Sequence, residues 1–163
     1  MTKLLVLSDS HGGRAAIERV LMKESKNVDA LIFLGDGLRD LEAALAGYPK
    51  LRTYSVAGNC DFGALEPTDG LAAFDQVVIF YTHGHMYGVK YDLDTIADAA
   101  AARGAEVALF GHTHIPHAEQ RGNVFLFNPG SCGRCYTGAD TYGILTTDEG
   151  KVVAHEHKEV PQK

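Results

Sequence analysis

Five short apolar runs in this chain each end in residues that can bind a metal ion or handle a proton. Leu4–Leu7 leads into Ser8-Asp9-Ser10-His11, Leu31–Leu34 into Gly35-Asp36-Gly37, and Tyr54–Ala57 into Gly58-Asn59-Cys60-Asp61. Val77–Tyr81 leads into Thr82-His83-Gly84-His85, and Val107–Phe110 into Gly111-His112-Thr113-His114. Side chains two apart on an extended segment point the same way, so Asp9 with His11, and His112 with His114, are expected to grip one centre as pairs. Glycines 35, 58, 84 and 111 are expected to let the backbone turn sharply where these side chains crowd inward. Asp9, His11, Asp36, Asn59, His83, His112 and His114 together offer seven oxygen or nitrogen donors. That exceeds the needs of one first-row ion and suits two ions sharing a carboxylate, with Asp36 the expected bridge. A donor set of imidazole, carboxylate and amide without thiolate fits Mn²⁺, Fe, Ni²⁺ or Zn²⁺. Any one of these motifs alone is common in proteins that use it for nothing. Five in order are what carry the reading.

The elements that must position these residues follow from periodicity. Apolar residues at helical spacing mark Ala15–Glu24, Leu38–Ala46 and Leu93–Arg103, alternating with the five apolar runs. Strand–helix alternation of this kind builds a parallel sheet covered by helices, and ligands gather beyond the C-terminal ends of its strands. After residue 115 the texture changes. Pro116–Gln120 and Val124–Phe127 flank Arg121-Gly122-Asn123, and Tyr142–Thr146 and Val152–His157 flank Asp148-Glu149-Gly150, two hairpin signatures. A parallel first half and an antiparallel second half predict two packed sheets with helices outside, in one α/β domain over residues 1–163.

The ordered motifs Asp-x-His, Gly-Asp, Gly-Asn-x-Asp, a single His after a strand, and Gly-His-x-His resemble those of the calcineurin-like metallophosphoesterases. Asn128-Pro129-Gly130-Ser131 is similar to a further loop of that family. Within the family the chain is most like a small phosphodiesterase branch that carries Gly-Asn-Cys-Asp, here residues 58–61. The resemblance implies a four-layer αββα sandwich with a two-ion centre, manganese being the family's ion. One ion would take Asp9, His11, Asp36 and His114, and the other Asp36, Asn59, His83 and His112. It further implies a phosphodiesterase whose nucleophile is a hydroxide bridging the ions, with Asn59 and His83 also serving the chemistry, on small phosphoester substrates. A homodimer is one assembly it implies. Most of the family places a histidine, thought to protonate the leaving group, where this chain has Cys60, so the general acid is the point of departure. Asp61 keeps the family's acidic position and is expected to orient a ligand from behind.

Two divalent ions beside Asp9 and Asp36 leave net positive charge that a hydroxide and a phosphodiester monoanion neutralise, whereas a monoester dianion overshoots. Diesters are therefore the expected substrates. A phosphomonoesterase or nucleotidase with the same centre is the alternative. A catalytically silent scaffold of the same fold is a weaker one, since all seven donors are present. The chain has 163 residues, 45% of them hydrophobic and 22% charged, the balance of an ordinary globular domain. Its net charge of -6 argues against sequence-independent nucleic-acid binding. No apolar run is long enough for a membrane span, and Asp9 and His11 come too early for a signal peptide. With three cysteines, these features predict a soluble protein of a reducing cytoplasm. Cys132-Gly-Arg-Cys135 reads as a loop with two free thiols, and Arg134 as either a phosphate ligand or a solvated arginine. His85 reads as polar filling, and His117, His155 and His157 as surface residues.

Overall fold

The computed structural model describes all 163 residues. Ten strands and three helices follow in the order β1 (Thr2–Leu7), α1 (Arg14–Glu24), β2 (Ala30–Phe33), α2 (Leu38–Leu45), β3 (Arg52–Ser55), β4 (Asp69–Phe74), β5 (Val77–Thr82), α3 (Asp94–Ala102), β6 (Val107–Leu109), β7 (His117–Arg121), β8 (Val124–Asn128), β9 (Thr141–Asp148) and β10 (Lys151–Glu159). They form two five-stranded mixed sheets, ordered β10-β9-β1-β2-β3 and β4-β5-β6-β8-β7. The strands pack by strict alternation. Leu4, Val6, Ala30 and Ile32 of the first sheet meet Val77, Ile79, Val107 and Leu109 of the second between the sheets. Their neighbours Leu5, Leu7, Leu31 and Phe33 turn outward onto Ile17, Val20 and Leu21 of α1 and Leu41 and Ala44 of α2. Phe80 and Ala108 turn the other way, onto Ile96, Ala97 and Ala100 of α3. Strands buried on both faces read as continuous apolar runs for this reason. The result is the four-layer αββα sandwich that the motifs implied.

The expected split into a parallel half and an antiparallel half is not how the sheets divide. Hairpin β7–β8 completes the second sheet, with β8 parallel to β6, while hairpin β9–β10 completes the first, with β9 antiparallel to β1. The first sheet is therefore built from both ends of the chain, and the second from its middle, residues 69–128. Strand β4 also escaped the sequence pattern. Its turn, Asp75-Gln76, has both residues in the left-handed region (φ 51° and 69°) without the Asn-Gly or Asp-Gly that usually marks such a hairpin. Strand β3 ends at Ser55, two residues short of Ala57, because the Ala57 N–H leaves the ladder to bond the Pro67 carbonyl at 2.8 Å. No helix is long and apolar enough to cross a membrane.

His157 is not the surface residue its position suggested. It is half-buried, lies stacked on Phe127 (centroids 4.6 Å apart, 4° between planes), and its Nε2–H donates to the Asn128 carbonyl at 2.7 Å. It thus ties the edge strand of one sheet to β8 of the other. Burial holds the imidazole below its ordinary value of 6.5, and the charges of His155 and His117 act in the same direction against the bond to Asn128. A depressed histidine stabilises the fold fully above its unfolded pKa, and that contribution is lost as pH falls below 6.5 toward the folded value. The stability advantage of the wild type over His157→Phe should therefore shrink on acidification. Urea midpoints for both proteins at graded pH measure this, and parallel pH profiles would show that His157 does not contribute.

Candidate metal centre

The strand ends converge as the spacing required, but by a different local geometry. Asp9, His11, Asp36, His112 and His114 all have left-handed φ, between 44° and 70°, and make up five of the eight non-glycine residues that do. The pairs Asp9/His11 and His112/His114 are thus presented by tight turns, not by extended backbone. Strain of this kind persists only where the surroundings over-determine it. Here the Asp9 and His11 N–H groups donate to the carbonyls of Gly35 and Asp36, and the Gly111 N–H to that of His83. Gly35 and Gly84 turn the chain with φ of 98° and 106°. Gly58 and Gly111 serve by absence instead: a Cβ would lie 2.1 Å from Asp36 Oδ1 at the first and 2.1 Å from Ser8 Oγ at the second.

The carboxylate of Asp61 is the largest single organiser. It accepts the N–H groups of Asp36 (2.7 Å), Gly37 (2.9 Å), Leu38 (3.0 Å) and Gly58 (2.8 Å), so it caps α2 and clasps the loops bearing Asp36 and Asn59 together. Its supporting role matches expectation, although its target is backbone rather than a ligand side chain. The Asn128-Pro-Gly-Ser loop braces the other side. Asn128 Nδ2 donates to the Gly111 carbonyl and Thr113 Oγ1, and Ser131 Oγ donates to the Asp9 carbonyl. The sequence marked the loop of Asn128 and Ser131 only by its resemblance to a family loop, because the atoms they brace, on Gly111, Thr113 and Asp9, lie on other loops.

At the centre, two trios each place their ligand atoms within 4.8 Å of one another: Asp9, His11 and His114, and Asp36, His83 and His112. A third, His11, Asp36 and Cys60, links them through Asp36. His11 Nε2 lies 3.1 Å from His114 Nε2, and His83 Nε2 lies 3.1 Å from His112 Nδ1. His83 Nδ1 and His114 Nδ1 sit 2.7 Å from the carbonyls of Leu34 and Arg134, which can only accept. Those bonds fix the proton on Nδ1 and turn the Nε2 lone pairs inward, toward Asp36 Oδ2 (3.3 Å) and Asp9 Oδ1 (3.2 Å) respectively. Asp9 Oδ1 is fully buried and has no hydrogen-bond partner. Lone pairs facing lone pairs in a buried space require positive charge, so these residues fit divalent cations.

The proton affinities carry the same message. Burial pushes the Asp9 carboxyl up, yet the imidazoles of His11, His114 and His83 around it bring it well below the usual carboxylate range. Burial likewise opposes the imidazoles of His83 and His114, but the carboxylates outweigh it and both are raised. Burial and the neighbouring His83 push His112 down to about 4.

Asn59 stands beside Cys60 on the loop that Asp61 clasps to Asp36. It is exposed, with its amide 3.6 Å from Cys60 Sγ. Cys60 is exposed too, its N–H donating to Asp36 Oδ1 at 2.8 Å, and burial with the Asp36 charge pushes its thiol up. Arg134 is exposed at the rim, and Cys132 is a core residue beneath the loop. His85 stands beside His83 (centroids 5.4 Å apart), with Nδ1 buried and unpartnered. A cleft of about 980 Å³ opens from His11, Asp36 and Cys60 between α2 and the loop holding Phe62 and Leu65.

A profile of the calcineurin-like phosphoesterase superfamily domain matches residues 2–150. The chain belongs to that superfamily. It is 35% identical to a probable metallophosphoesterase, YsnB, of Bacillus subtilis over 89% of this chain and 84% of that one. It is 34% identical to the phosphodiesterase YfcE of Escherichia coli over 94% of this chain and 92% of the relative. A crystal structure of a predicted phosphoesterase from Streptococcus pneumoniae superposes with a TM-score of 0.78 at 26% identity, covering 97% of both chains. By family, then, this is a metal-dependent hydrolase of phosphoric esters.

Removing the Asp61 carboxylate from this phosphoesterase should loosen the whole centre. Asp61→Ala strands four backbone donors, and hydrogen bonds to a charged group contribute about 1.5–3 kcal/mol each. A loss of at least about 3 kcal/mol in unfolding free energy is expected, with weaker Mn²⁺ binding in calorimetry. Urea unfolding and metal titration of Asp61→Ala that both match the wild type would remove Asp61 from this role.

Proposed function

We propose that residues 1–163 form one catalytic unit, a two-ion phosphodiesterase acting on small phosphoesters in a reducing cytoplasm. The observation that carries this reading is the pair of trios, linked where His11 of one meets Asp36 of the other. Asp9, His11, Asp36 and His114 would hold one ion, and Asp36, Asn59, His83 and His112 the other, with manganese the preferred metal and nickel, iron or zinc fitting the same donors. When bound, such ions supply Lewis acidity, acidify a shared water into a nucleophile and neutralise charge on the phosphoryl oxygens.

The chain's own residues do the rest. The Nδ1–H bonds of His83 and His114 to backbone carbonyls hold both rings in the tautomer that presents Nε2 to the centre. Asp36, with Oδ1 occupied by the Cys60 N–H, keeps Oδ2 directed at His11 and His83. The Arg134 guanidinium has no carboxylate partner among the ion pairs of the fold, and it is assigned to a phosphate oxygen that does not react. A phosphodiester monoanion balances two ions, two carboxylates and a hydroxide, and a monoester dianion does not.

Protein freed of metal by chelation and verified by elemental analysis should not hydrolyse bis(4-nitrophenyl) phosphate, and Mn²⁺ should restore the activity. Full activity in metal-free protein would overturn the reading. Cys60 stands where most of the family has a histidine acid, and a general acid typically contributes about 10²- to 10⁴-fold, most for basic leaving groups. A thiol is a poor donor. Cys60→Ala should therefore leave nitrophenyl diesters nearly unaffected, while Cys60→His should selectively speed esters of alkyl alcohols. The measurement is kcat/KM across leaving groups of graded basicity at constant metal content. Loss of nitrophenyl-diester hydrolysis in Cys60→Ala with both ions still bound would make the thiol essential instead.

A further inference from the structure

The fold leaves ten large apolar side chains exposed, and six of them, Phe62, Leu65, Met86, Tyr91, Ile115 and Tyr136, stand on the connections that leave β3, β5, β6 and β8 at the sheet edge bearing the metal centre. The other four are scattered over the N-terminus, α1, β4 and β10. An apolar rim around a charged centre marks where something partly apolar binds.

Tyr136 differs from its neighbours on this rim in being held. Its ring lies flat on the imidazole of His114, with centroids 4.5 Å apart and planes 8° from parallel. His114 is itself immobilised by its Nδ1–H bond to the Arg134 carbonyl and by Asp9. The same carbonyl anchors the loop that carries Tyr136. One face of the tyrosine is therefore committed to a residue of the centre, while the residue as a whole remains 65% exposed. A fixed, open aromatic face selects for flat partners, because every planar ring can stack on it and puckered or branched groups cannot.

We infer that Tyr136 is a stacking platform that selects phosphodiesters bearing a planar aromatic group, a nucleobase being the biological instance, over those with saturated arms. The inference rests on the phosphodiesterase reading. A phosphate at the centre places one organic arm beside the His114 ring, and so beside Tyr136. The cleft toward Phe62 and Leu65 takes the other. Tyr136 touches substrate without taking part in bond making, so it determines specificity.

The test uses Mn²⁺-loaded protein and two phosphonates that cannot be hydrolysed, benzylphosphonate and cyclohexylmethylphosphonate, similar in bulk and different in flatness, at a pH below their second ionisation, where each carries the single charge of a diester. Inhibition constants are measured against bis(4-nitrophenyl) phosphate for wild type, Tyr136→Phe and Tyr136→Leu, with metal content checked. Aromatic stacking removed by substitution is expected to weaken benzylphosphonate by about 5- to 150-fold in Tyr136→Leu, to spare cyclohexylmethylphosphonate, and to be retained in Tyr136→Phe. The chain has no tryptophan, so Tyr136→Trp carries a sole indole. Its fluorescence should respond to benzylphosphonate and not to the saturated analogue, with no turnover involved. A wild-type protein that hydrolyses the diester while Tyr136→Leu loses neither ligand, or both equally, or loses metal, would overturn the platform alone. A metal-loaded wild type that neither hydrolyses the diester nor binds either phosphonate would overturn the phosphodiesterase reading and the platform with it.

Discussion

Two carboxylates and four imidazoles cannot share a buried space without positive charge, and much of this molecule is arranged to hold them there. Asp9 Oδ1 without a partner, and Nε2 lone pairs of His83 and His114 facing carboxylate oxygens, describe a centre that is unfavourable by itself. Strained backbone at five of its residues adds to that cost, at roughly 1–3 kcal/mol for each sparsely populated conformation. Such an arrangement survives only if the surroundings offset it. The energy comes from the sandwich, whose inter-sheet layer and two outer layers bury the strands on both faces. Stability is generated in the core and consumed at the sheet ends.

The topology explains why neither sheet could do this alone. Asp9 and Asp36 follow β1 and β2 of one sheet, whereas His83 and His112 follow β5 and β6 of the other. The centre is built across the gap between the sheets, so their relative position sets its geometry. Close contacts fix that position. A Cβ on Gly143 of β9 would lie 2.4 Å from the Phe127 ring of β8, and His157 packs on the same ring. Phe127 thus registers the sheets immediately before the Asn128 loop that braces the ligand turns.

The layered fold and the gathering of carboxylates and imidazoles at its strand ends were both legible in the sequence. Donors delivered by successive strands leave a local signature, because each motif directly follows an apolar run, so the two carboxylates and four imidazoles that the structure gathers could be read in one pass. The reason offered for the paired spacing was nonetheless wrong, since Asp9/His11 and His112/His114 sit in left-handed turns that alternate spacing cannot reveal. Sheet assignment of the two C-terminal hairpins was not legible, because a hairpin's turn chemistry says which strands pair locally and nothing about which sheet receives them. Strand β4 lacked a recognisable turn, and His157 lacked any cue to burial. Tyr136 was passed over for a comparable reason. Its partner His114 lies 22 positions away, across a hairpin.

The centre and the rim obey different physical rules, and that difference bears on how such a fold can change substrates. Residues of the centre are held from several sides. Asp61 alone satisfies four backbone donors, and Gly58 and Gly111 have no room for a methyl group. A substitution there disturbs charge balance, backbone strain and helix capping together, which are the mechanisms behind large losses of stability. Phe62, Leu65, Met86 and Tyr91 are more than half exposed, and a surface substitution away from such features typically changes stability by less than about 0.5 kcal/mol. The rim can therefore vary at little cost to folding while the reactive centre cannot. Tyr136 stands at the boundary, being exposed on the rim and in contact with His114 of the centre. A side chain placed there couples the choice of organic arm to the ion-binding geometry, without belonging to the network that keeps the protein folded.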